Sequence, residues 1–303
     1  MYMGFKTERY QVLMPMKSYG IGLFLVVSCT MNAINEFDLF KVLDVKKIQP
    51  FDYDLGIEVV ANKNPNAGVT ICCHGYGSSS HIAEIVDSFN AIPDHIVAFN
   101  FPDYDLMHRP YDPRKSAFGS INELLPFLYI IKRCVCDAGL TVINLYGFSA
   151  GGAAVVNALV VLNETTYDAE LAQIGISADD KQRMIAAIKQ GLVVLDCPLK
   201  SIEEVVNVRG QSREFMILAD RYRANNMRPI DSVQYLKGLP LNILLHFQQP
   251  DEVIGNREDQ LFIDRLRAAN SGKTEVIIGH EGGHNAYHAS LWKVYKKMRD
   301  QKK

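Results

Sequence analysis

A chain of 303 residues, 48% of them hydrophobic, is long enough to bury one large core. Its 32 Lys and Arg stand against 34 Asp and Glu, so no global field draws it to nucleic acid or to an anionic surface. The cysteines give no disulfide framework and no Cys/His cluster with zinc-ligand spacing; five of the six read as small hydrophobes.

Near the N-terminus, Lys17 precedes an apolar run ending at Cys29, of the length of a signal-peptide core and too short to span a bilayer as a helix. Val26-Val27-Ser28-Cys29 also resembles a bacterial lipobox, in which Cys29 becomes a lipidated first residue. Translation from Met16, export and membrane association through this segment form one expectation. An apolar element docked on a cytoplasmic domain is the other. Residues 1–40 are accordingly set apart from a domain over 41–303.

Two β-prone stretches, 41–48 and 55–62, are joined by a turn around Pro50. A loop over 62–68 leads into Val69-Thr70-Ile71-Cys72-Cys73, a buried strand ending at His74-Gly75-Tyr76-Gly77. A helix is expected over 80–91, a short strand over 96–100, and a long helix over 115–137 that Pro126 should kink or split. Ser177 opens a further helix with a capping-box pattern, and Gly191 is placed to end it. A strand over 192–195 runs into Asp196. Residues 197–240 hold helical pieces without a sheet partner, where a small helical cap would be inserted; Arg221, Arg223 and Arg228 there read best as a solvated face. Strands over 241–247 and 274–278 and a helix over 286–298 complete the chain. Buried strands alternating with helices predict an α/β fold, a mostly parallel central sheet with helices on both faces.

The chemistry concentrates at Gly147-Phe148-Ser149-Ala150-Gly151, between an apolar strand and a helix-forming run. A strand that reverses straight into a helix puts its turn residue in a sparsely allowed conformation, and the flanking glycines remove the Cβ atoms that would collide there. Such an elbow lifts the Ser149 hydroxyl above the sheet and leaves the Ala150 N–H at a helix N-terminus, where a developing oxyanion is favoured. A serine nucleophile needs a base, and the base an orienting group, both from loops at the carboxyl ends of strands. Asp251 follows one such strand and Asp196 another. His280 and His284 share the glycine-rich loop after the last; His288, one helical turn on, reads as a surface residue.

Serine, acid and histidine in this order, with His74-Gly75-Tyr76-Gly77 after an earlier strand and Gly282-Gly283-His284-Asn285 near the end, resemble the α/β-hydrolase superfamily from about Lys41 onward. The resemblance implies Ser149 as nucleophile, His284 as general base and Asp251 as its orienting acid, in preference to His280 and Asp196. It also implies an oxyanion hole from the Tyr76 and Ala150 N–H groups, with His74 shaping that loop. The expected activity is hydrolysis of small carboxylic esters or thioesters, with no metal and no organic cofactor. A serine peptidase, an acyltransferase and a catalytically silent ligand-binding member are the alternatives.

Overall fold

The computed structural model describes residues 43, 56–60, 62, 67–76, 94–102, 117–210, 213–225, 228–280, 282–284 and 289–301. The N-terminal leader, the 80–91 helix, most of the first β-prone stretch, the turn around Pro50, Asn285 and His288 lie outside them. A seven-stranded sheet has the order β1-β3-β2-β4-β5-β6-β7. Its strands are β1 (Glu58–Val60), β2 (Val69–Cys73), β3 (His95–Ala98), β4 (Ile143–Phe148), β5 (Val193–Asp196), β6 (Ile243–Gln248) and β7 (Thr274–Gly279). All pairings are parallel except that of the edge strand β1, which runs antiparallel to β3.

Strands β2, β5 and β6 are buried along their whole length, which is why they read as continuous apolar runs rather than alternating ones. One face is covered by α1 (Ile121–Lys132), α2 (Ala150–Asn163), α4 (Ala178–Gln190) and α8 (Asp259–Ala269), whose apolar side chains join Ile71, Leu145, Val193 and Leu245 in one core. The other face packs Tyr146, Val194 and Leu244 against Leu291, Trp292 and Tyr295 of α9 (Ala289–Asp300). The short α3 (Asp168–Gln173) links α2 to α4. Every residue of α2 but Asn163 is buried, so this helix is a strut inside the molecule and holds its N-terminus fixed against the sheet.

The local signals in the sequence have physical counterparts. Ser177 accepts from the Asp180 N–H while the Asp180 carboxylate accepts from the Ser177 N–H, a complete capping box for α4, and Gly191 ends that helix. Two expectations change. Leu43 is helical, against the strand expected over 41–48. Helix α1 begins at Ile121 rather than near residue 115, and it runs through Pro126 unsplit before a π-helical turn over Arg133–Asp137. Burial of Leu124, Phe127, Leu128 and Ile131 around the proline supplies tertiary packing that outweighs one missing backbone hydrogen bond.

Between β5 and β6 the described residues form only helices: α5 (Ile202–Arg209), α6 (Arg213–Asn225), α7 (Pro229–Ser232) and a 3-10 turn at Val233–Leu236. The last two pack on α2 and α8 and so belong to the helical layer, whereas α5 and α6 pack on each other.

At the far end of the sheet, Asp94 Oδ2 accepts from Thr70, Asn144 and Tyr295 at 2.9, 3.0 and 2.9 Å, and Arg299 pairs with the same carboxylate. This buried network fastens α9 to the sheet, and with it the end of the segment that carries His284.

Candidate active site

The parallel register brings the carboxyl ends of the inner strands level. Cys73 lies opposite Gly147, Phe148 opposite Asp196, Asp196 opposite His246, and Gln248 opposite Gly279. The residues that follow these strands therefore emerge at one edge of the sheet, where open α/β folds bind ligands.

Ser149 stands between β4 and α2 with φ 53° and ψ −117°, a left-handed conformation that costs a side-chain-bearing residue on the order of 1–3 kcal/mol. The turn is held by its packing. A Cβ on Gly147 would lie 2.5 Å from the Gly151 carbonyl oxygen, and one on Gly151 would lie 2.1 Å from the carbonyl oxygen of Cys73. Both glycines are therefore demanded by close approach of backbone to backbone. The Ser149 N–H donates to the Asp196 carbonyl at 2.9 Å and its carbonyl accepts from Leu199 N–H, so β5 and the segment after it brace the elbow.

Gly75 lies against the same turn, its missing Cβ leaving room for Phe148 at 3.0 Å and Ser149 Cβ at 3.3 Å. His74, buried, shapes this loop. Its Nε2 accepts from Phe101 N–H at 3.3 Å, which leaves Nδ1 to donate to the Gly75 carbonyl at 2.8 Å. Burial lowers its pKa to about 4, against the backbone hydrogen bond that favours the charged ring, so it is a neutral brace. Next to it Tyr76, partly exposed, packs its ring on Phe118. Its N–H group and that of Ala150, at the start of α2, are the expected oxyanion donors.

Of the two histidines in the last loop, His284 is buried and His280 is exposed. His284 Nδ1 is 2.7 Å from Asp251 Oδ2, and its ring packs on Phe148, the residue before Ser149, at a centroid distance of 5.0 Å. The other carboxylate oxygen of Asp251 accepts from the Val253 and Ile254 N–H groups at 2.9 and 2.8 Å. Burial alone would raise the Asp251 pKa. The His284 hydrogen bond and the two backbone donors outweigh it and hold the carboxyl below its ordinary value.

Asp196, the rival acid, has a different partner. Its Oδ1 is 2.7 Å from His246 Nδ1, and its Oδ2 accepts from the Tyr146 hydroxyl at 2.8 Å. Two aspartate–histidine pairs thus lie side by side, with Cys197 between them. Asp196, Cys197 and His246 form one group and Cys197, Asp251 and His284 another, in each of which the donor atoms lie within 4.8 Å of one another. In both groups carboxylate and imidazole are already hydrogen-bonded together. Burial, then the Asp196 and Asp251 carboxylates, push the Cys197 thiol far above its usual range. That donor set suits the holding of protons better than the coordination of a cation.

Sequence reasoning did not find His246 as the partner of Asp196; the signal was a polar ring inside the apolar run Leu244-Leu245-His246-Phe247. It also passed over Glu252 and Asn256 beside Asp251.

No family model and no curated protein matches the sequence. Solved structures do match. Est1E of Butyrivibrio proteoclasticus, solved with ferulic acid bound, superposes at a TM-score of 0.56 over 82% of this chain and 95% of its own, at 14% identity. A lipase/esterase from Lactobacillus plantarum gives 0.56 over 82% and 94% at 14% identity. Esterase B from Lactobacillus rhamnosis gives 0.54 over 87% and 89%, also at 14%. The chain has the α/β-hydrolase fold.

Proposed function

We propose that the protein is a serine hydrolase that cleaves carboxylic esters or thioesters through an acyl-enzyme on Ser149. The observation that carries this reading is a strained, glycine-flanked serine at the β4–α2 turn with a buried Asp251–His284 pair packed on the residue beside it. The esterase descriptions of the similar structures add support of a coarser kind.

In this mechanism Asp251 stays ionised and accepts a hydrogen bond from the Nδ1–H group of His284, which fixes the tautomer that leaves the Nε2 lone pair free to act as base. His284 takes the Ser149 proton as the hydroxyl oxygen attacks the substrate carbonyl. The carbonyl π electrons move onto oxygen, where the Tyr76 and Ala150 N–H groups hold the oxyanion. Collapse expels the alkoxide or thiolate, which receives the proton from His284. Water, deprotonated by the same ring, repeats the attack and releases the acid. A carboxylate held below its usual range stays charged at neutral pH, as stabilising the transient imidazolium requires.

A fluorophosphonate probe tests the reading: it should label Ser149, and p-nitrophenyl esters should be hydrolysed with a dependence on acyl chain length. A folded protein that neither labels nor turns over these esters overturns it.

A further inference from the structure

Glu252 follows Asp251 directly and reaches the same histidine from another side. Both of its carboxylate oxygens accept from the His284 backbone N–H, at 3.1 and 3.3 Å. Gly282 and Gly283, which precede His284, have φ of 94° and 70°, and a Cβ on Gly283 would lie 2.8 Å from Glu252 Oε1. Successive glycines in left-handed conformations give a loop little stiffness of its own. Something outside the loop has to hold its end.

We propose that Glu252 is a positioning residue for His284: its carboxylate anchors the backbone from which the catalytic ring projects, while Asp251 orients the ring itself. This rests on His284 being the general base. The loop after β6 then grips the loop after β7 at successive points. Gln249 N–H donates to the Gly279 carbonyl at 2.8 Å, Asp251 takes the ring and Glu252 takes the backbone. The gripping loop is itself stiff. Asn256 accepts from Asp251 N–H at 2.6 Å and donates to the Gln248 carbonyl at 2.7 Å and to Asp259 at 2.9 Å. The buried Lys200 ammonium in turn contacts Asp259 at 2.6 Å and Glu204 of α5 at 3.2 Å. Glu252 is exposed, so water screens its charge and its effect is chiefly geometric. Displacing a catalytic group by about 1 Å costs up to roughly a hundredfold in rate, which sets the scale.

Glu252→Ala should lower kcat about tenfold and leave KM unchanged, because the anchor touches the base and not the substrate. Glu252→Gln keeps an acceptor oxygen and should stay within about threefold of the wild type. Labelling by the fluorophosphonate should slow in step with kcat in Glu252→Ala but reach the same endpoint, which counts intact sites and separates misplacement from misfolding. Amide hydrogen exchange at His284 should speed up in Glu252→Ala and not in Glu252→Gln. Wild-type kcat in Glu252→Ala, a rise in KM with kcat intact, or equal losses in both variants would overturn the proposal. Should the wild type fail to label, the hydrolase reading falls, and amide exchange still judges the anchor: unchanged exchange in Glu252→Ala refutes it.

Discussion

Asp251→Asn is the sharpest perturbation because the geometry leaves the amide no satisfactory orientation. Oδ2 faces His284 Nδ1 at 2.7 Å and Oδ1 faces the Val253 and Ile254 N–H groups at 2.9 and 2.8 Å, so every neighbour is a donor. If the NH2 group points at His284, two donors meet and the ring is driven to the tautomer that cannot accept the Ser149 proton. If it points at the backbone, the buried Ile254 N–H loses its acceptor at about 1–3 kcal/mol, and the part-buried Val253 N–H loses its acceptor too. The first orientation, or loss of imidazolium stabilisation alone, should lower kcat by roughly 10³–10⁴, equivalent to about 4–5.5 kcal/mol of barrier. The assay is kcat on a p-nitrophenyl ester normalised to sites titrated with a fluorophosphonate, with Asp196→Asn measured alongside. Asp196 serves His246 and Tyr146, so its variant should keep kcat within about tenfold and lose stability instead. If Asp251→Asn stays within tenfold of wild type while Asp196→Asn loses the activity, the assignment of the acid is wrong.

Ser149→Ala and His284→Ala should each remove nearly all esterase activity, non-additively, whereas His280→Ala, at an exposed position, should keep it; stopped assays on the single and double variants check this. Gly151→Ala should abolish folding of the elbow rather than tune it, since its Cβ would lie 2.1 Å from a β2 carbonyl oxygen; thermal melting and soluble yield report the outcome. His74 has a pKa lowered from 6.5 to about 4, chiefly by burial, so the unfolded chain binds the extra proton first. Stability from this group is therefore complete above about pH 6.5 and falls as pH drops toward 4, by an amount on the order of 3 kcal/mol. Chemical denaturation between pH 7 and 4.5 should show a shallower loss in His74→Gln than in wild type; parallel losses would exclude His74 as the source.

How much was legible follows from where each signal resides. The elbow was visible because its requirements are local: a strand, a serine, a helix, and glycines where two backbones approach within bonding distance of where a Cβ would sit. The capping box at Ser177 was visible for the same reason, being satisfied within one helical turn. Continuous apolar runs at β2, β5 and β6 announced strands buried on both faces, and hence a mostly parallel sheet. Pro126 does not split the helix because helix propensity is local and the packing that overrides it is not.

Pairings across strands lie beyond any local signal. Asp196 ends one buried strand and Asp251 follows another, and residue type cannot distinguish them. The register that sets Asp196 opposite His246 gives it a partner within its own sheet, and leaves Asp251, farther out on its loop, to reach His284. The sequence by itself determined the fold class, the strained turn at Ser149 and the short set of acids and histidines at the ends of the later strands, because these depend on contiguous residues. Only the tertiary structure decided which acid meets which histidine, and that Glu252 grips the backbone of His284, because hydrogen bonds between loops depend on distances that strand register and helix packing set.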